Sequence, residues 1–169
     1  MSAALAALEA LPLAAALRDS VWAYPLVNAA HILGIALLFG AIAPLDLRLL
    51  GAFSRVDVAG LTRILVPVAV FGLVLAAAAG SLLFVTDARD YAGSRFFQAK
   101  MLVVLLAVAN ALALRLAPSW RALRRPGGDL FPVAAPVAEG PGLVVRLAAA
   151  LSLFLWPTAI LLGRLVGYF

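Results

Sequence analysis

The sequence predicts an all-α fold, an integral membrane four-helix bundle, and three observations carry that reading. Of the 169 residues, 66% are hydrophobic and only 12% are charged, about half the charge of an average soluble domain. The few charges punctuate four long uncharged runs. Each charge would cost several kcal/mol at the centre of a bilayer, so the runs between them read as spans. Finally, five prolines and four glycines gather between Ala117 and Gly142, a composition that cannot continue a helix and reads as a linker between spans three and four. The chain reads as a single membrane domain over 1–169.

The elements follow in order. Ala3–Leu17 is apolar but interrupted by Glu9 and Pro12, with no Lys or Arg before Arg18. A signal peptide needs a basic start, so the expectation is a helix at about 3–18 lying at the membrane interface; a short fifth span is the alternative. Ser20 is placed to cap the first span. The first two uncharged runs, Asp19 to Asp46 and Arg63 to Asp87, hold 26 and 23 residues. About 20 residues cross a bilayer core, which places spans at about 21–45 and 64–86. The third run, Met101–Leu114, has 14 residues and the fourth, Leu147–Gly163, has 17. Both reach span length at about 97–116 and 143–165 if the flanking Lys100, Arg115, Arg146 and Arg164 snorkel.

Basic residues set the expected orientation. Eight (Arg48, Arg55, Arg63, Arg115, Arg121, Arg124, Arg125 and Arg146) fall on one side, and five (Arg18, Arg89, Arg95, Lys100 and Arg164) on the other. The larger group marks the cytoplasmic face of a bacterial inner membrane, with both ends of the chain periplasmic. Asp46 closes the first span and is placed to pair with Arg63, Arg115 or Arg146. Arg164 is expected at the outer surface beside Tyr168, and Phe96-Phe97 with Lys100 reads as an aromatic belt with a snorkelling cation.

Polar residues at membrane depth are the candidate site. Tyr24, Asn28 and His31 share one face of the first span, with His31 about ten residues in, roughly 15 Å deep. Asn110 lies in the third span and Trp156-Pro157-Thr158 in the fourth, while Gly72, Ala76 and Gly80 form a small-residue face on the second suited to close helix approach. One reading makes these residues interhelical ties in a structural or accessory membrane subunit. The other makes His31 the axial ligand of a haem, or part of a small-ligand site, walled by Trp156 and the glycines, with Tyr24, Asn28, Asn110 and Lys100 around it.

Residue counts exclude sharper chemistries. With no cysteine and one histidine, thiolate catalysis, iron–sulfur ligation, a three-ligand zinc site and a paired bis-histidine haem path within one chain are ruled out. No carboxylate lies at mid-depth for proton-coupled transport and no phosphate-binding glycine loop is present. The net charge of +5 is scattered, so no nucleic-acid partner is expected. The expected partners are the lipid bilayer and either a second copy or another membrane subunit. An enzyme is not the favoured reading.

The string Ser20-Val21-Trp22-Ala23-Tyr24-Pro25, with Asn28, His31 and Gly34, then Gly40, then Asp46-Leu47-Arg48-Leu49-Leu50-Gly51, resembles a bacterial family of small four-span membrane proteins of unknown function. Phe97, Lys100-Met101, Asn110-Ala111, Ser152, Leu155-Trp156, Gly163-Arg164 and Tyr168-Phe169 extend the resemblance over nearly the whole chain. It implies a four-helix inner-membrane bundle with no established activity. The chain departs from that pattern at Asn28, where the family often has glutamate. More distantly, a histidine in the first span and Lys-Met opening the third are similar to the copper-resistance D family and to the haem-binding membrane protoporphyrinogen oxidases. The second of these implies haem b on His31, with Lys100 at the matching lysine position.

Overall fold

The computed structural model describes residues 2–118, 120 and 141–168, so most of the expected linker lies outside the described residues. Those residues form seven helices and no strand. Two short helices open the chain, α1 (Ser2–Glu9) and α2 (Pro12–Asp19). Four long ones follow: α3 (Ala23–Leu50), α4 (Val58–Thr86), α6 (Arg95–Leu116) and α7 (Leu143–Leu165), with the short α5 (Ala88–Gly93) between the second and third. All four long helices are long and apolar enough to cross a membrane, so the chain is a multi-pass membrane protein by its helices.

Two boundaries differ from expectation, each for a physical reason. The N-terminal segment is two helices rather than one. Pro12 takes the first turn of α2, where its missing N–H costs nothing. Helices α3 and α4 overrun their uncharged stretches. Pro44 sits inside α3 without ending it, as membrane helices tolerate. The helix stops only at Gly51, whose φ of 113° closes the turn with N–H bonds back to Leu47 and Arg48. Helix α4 starts at Val58, where the Asp57 carboxylate accepts the N–H of Gly60. Charge marks the membrane edge, while capping marks the helix end.

Packing runs α4–α3–α7–α6. The α3/α4 pair is the most intimate, α6 packs on α7, and α3 meets α7 across the middle. Glycines explain the first contact. A Cβ on Gly34 would lie 2.5 Å from the Ala76 nitrogen, and one on Gly72 would lie 2.5 Å from the Leu38 nitrogen. Only hydrogen fits at that crossing. Helices α4 and α6 stand at the two ends of this series and meet where Phe84 stacks on Phe97, with ring centroids 5.4 Å apart. Beyond that contact they leave a lateral cleft, floored by α3 and α7, that runs towards the opposite end of the bundle. The core below it joins Leu38, Ala41, Ala69, Ala107, Leu155 and Trp156.

The N-terminal helices dock where α4 ends. Arg18 donates to the Thr86 carbonyl at 3.0 Å and the Glu9 carbonyl at 2.9 Å, while Glu9 pairs with Arg89 of α5 at 2.7 Å. Ser20 Oγ accepts the Ala23 N–H at 3.1 Å, so it serves the first turn of α3 from just outside.

Candidate functional site

The end of the cleft nearest α5 holds the histidine. His31 is the ninth residue of α3, about 12 Å along the helix from its start. Its Nδ1 is 2.7 Å from the Ala76 carbonyl oxygen of α4. A carbonyl only accepts, so Nδ1 carries the proton and Nε2 keeps its lone pair. Nε2 has no protein partner and is not among the sealed polar atoms of the described residues. Gly80, one turn beyond Ala76, lies flat against the ring: a Cβ there would approach His31 Cε1 to 2.9 Å. The small-residue face of α4 thus divides its work. Gly72 and Ala76 admit α3, and Gly80 admits the imidazole.

Two cavities meet at His31. The larger, about 470 Å³, is walled by Leu38, Leu73, Phe84, Met101, Val104 and Trp156 and is almost wholly apolar. The smaller, about 200 Å³, is lined by Tyr24, Asn28, Tyr91, Gly163 and Gly167. His31 and Lys100 line both. Lys100 lies against α7. Its Cε and Nζ lie where a Cβ on Gly163 would approach to 3.3 Å, so the ammonium sits between α6 and α7. The described residues give it no ion pair or hydrogen bond. A partly buried, unpaired cation is costly unless a ligand anion answers it.

The rim is aromatic. Phe84, Phe97 and Tyr91 form a triangle with centroids 5.4 to 6.2 Å apart. Phe97 therefore belongs to the interior side of this end rather than to an outward belt. Burial, with the Tyr24 side chain close by, pushes the Tyr91 phenol up to about 12. Arg164 donates to Tyr168 and its guanidinium lies 4.8 Å from the ring centroid, outside the site.

Of the sequence candidates, the structure brings Tyr24, Asn28, His31 and Lys100 around the smaller cavity, and Trp156 joins His31 and Lys100 at the larger one. Asn110 lies elsewhere. It donates to the Ala148 carbonyl at 2.9 Å and lines a third cavity towards the other end of the cleft. Gly163 and Tyr91 were missed as site residues. The small-residue repeat already offers Gly80 as a wall beside His31, while Tyr91 carries no sequence signal, since a single aromatic between two spans says nothing of where it folds.

No family model, curated protein or solved structure matches this chain.

The geometry can be asked directly whether a haem fits. Among the described residues no three metal-ligating side chains cluster, so a metal held by protein alone is not supported. One imidazole with an unpartnered Nε2, its other nitrogen tied to a carbonyl, is the arrangement of a single axial ligand. The apolar cavity beside it and the unpaired Lys100 suit a flat apolar molecule with an anionic edge. The residues present fit the group.

Proposed function

We propose that this chain is a ligand-binding protein of the bacterial inner membrane, with haem b as the ligand that its donor set suits best. The observation that carries the proposal is the Nδ1 bond of His31 to Ala76, which leaves Nε2 unpaired in a histidine that lines an apolar cavity of about 470 Å³. His31 would supply the axial nitrogen, Lys100 the counter-charge for an acidic edge, and Leu38, Leu73 and Trp156 the apolar walls. The resemblance to haem-binding membrane protoporphyrinogen oxidases points the same way, and no catalytic step is assigned.

The alternative is a structural or accessory subunit, as a homo-oligomer or beside another membrane protein. Asn110 favours it, since its bond to Ala148 ties α6 to α7 without any ligand. Against it, the Gly34 and Gly72 surface that would suit a partner helix is already occupied within the chain.

Purification from haem-supplied cells decides between them. A Soret band that disappears in His31→Ala, with the variant still folded, supports the haem reading. A colourless wild-type protein whose absorbance does not change on haem titration sinks it. The basic residues at one set of ends of α3, α4, α6 and α7 support a reading in which that end of the bundle faces the cytoplasm.

A further inference from the structure

At the other end of the cleft a separate cavity of about 170 Å³ lies between α4 and α6. Its deep wall is apolar, with Leu65, Ala69 and Leu73 of α4 facing Val108 of α6. One corner is polar, buried and incomplete. Asp46 is 5% exposed with the Ser152 side chain beside it, and its Oδ2 has no hydrogen-bond partner among the described residues. The sequence expectation that an arginine would pair with it is not met, because the only ion pair among the described residues joins Arg89 to Glu9. Trp120 is 4% exposed, and its indole N–H is likewise without an acceptor among the described residues. Native proteins rarely leave such groups unmade. Arg115, exposed and unpaired among the described residues, stands on the same cavity wall.

One ligand answers all of these needs. It must bring a cationic donor to Asp46, an acceptor to Trp120, an anion to Arg115 and an apolar chain to the α4 wall. We propose that this corner holds a zwitterionic aminophospholipid, with its primary ammonium on Asp46, its phosphate on Arg115 and an ester or phosphate oxygen on the indole N–H. An ammonium brings both N–H donors and the counter-charge that an ionised Asp46 needs. A hydroxyl headgroup supplies the hydrogen bond without the counter-charge, and a quaternary ammonium has no N–H to donate. The position suits a lipid: Asp46 lies near the end of α3, while Leu73 lies about halfway along α4. The site is independent of His31 and of the haem reading.

The test uses the full chain, delipidated in detergent and titrated with phosphatidylethanolamine, phosphatidylglycerol or phosphatidylcholine. Bound lipid is counted by native mass spectrometry and thermal unfolding is followed in parallel. Phosphatidylethanolamine is expected to bind roughly tenfold more tightly than phosphatidylcholine, the scale of one charge-assisted hydrogen bond. Asp46→Asn should abolish that preference, and Arg115→Gln should weaken every phospholipid alike. Trp120→Phe and the wild-type lipid comparison keep the test decisive if Asp46→Asn fails to fold. Equal binding of the three lipids overturns the proposal, as ordered water alone between Asp46 and Trp120 would produce. A preference for phosphatidylglycerol overturns the ammonium assignment.

Discussion

His31 is held by two contacts that can be altered separately. Its bond to Ala76 fixes the tautomer, and Gly80 leaves room for the ring. Gly80→Ala would drive a methyl into Cε1, and the imidazole, at the end of a rotatable side chain, moves before the helix does. The expected outcome is an almost unchanged melting temperature with roughly tenfold or greater loss of affinity for added haem, as displacement of a ligating group by about 1 Å implies; unchanged haem affinity would separate Gly80 from the site. Tyr91 offers a second check. Its folded-state value of about 12 lies above the ordinary 10, so the folded protein holds the phenolic proton longer. Keeping Tyr91 buried as the neutral phenol, with Tyr24 beside it, therefore favours the folded state fully below pH 10, and that contribution is lost as pH rises towards 12. In an absorbance titration one of the three tyrosines should ionise late, and Tyr91→Phe should remove that late step. A wild-type titration with no late step would contradict the burial of Tyr91.

At the scale of elements, the α3/α4 crossing is the tightest constraint. Gly34→Ala or Gly72→Ala places a methyl 2.5 Å from backbone, which cannot swing aside. Each is expected to destabilise the protein in detergent by about 1–3 kcal/mol, the usual cost of overpacking, measured by thermal unfolding. An unchanged melting temperature would mean the helices are further apart than described. The docked N-terminal helices depend on the Glu9–Arg89 pair, which holds the Glu9 carboxyl below its usual range. That contribution is present above the ordinary carboxylate pKa and fades as pH falls through the lowered value. Hydrogen exchange in α1 and α2 should accelerate in Glu9→Gln and on acidification, with the α3/α4 crossing unaffected. Equal acceleration at both places would show that the docking is not a local event.

For the whole molecule, the consequence of the α4–α3–α7–α6 series is a cleft open to the bilayer between its two end helices. Orientation sets which leaflet each end faces. Because the chain has no cysteine, single substitutions report cleanly. Arg55→Cys, on the arginine-rich side, should react with an impermeant thiol reagent only after the membrane is opened. Asp90→Cys should react in intact spheroplasts, and the reverse pattern would invert the topology.

The sequence by itself determined the number of long apolar helices, their order and the polar residues available to any site. Those follow from charge spacing and helical period, which are local properties. Tyr24, Asn28 and His31 could be grouped from sequence because they share one helix face. Only the tertiary structure decided which residues from different helices meet. It brought Lys100 of α6 to His31, sent Asn110 to another cavity, and left Asp46 buried beside Ser152 rather than paired with an arginine. The physical reason is that helix contacts in a membrane are set by close packing of small residues. Gly34 and Gly72 fix how α3 and α4 cross, and that crossing aligns every deeper side chain.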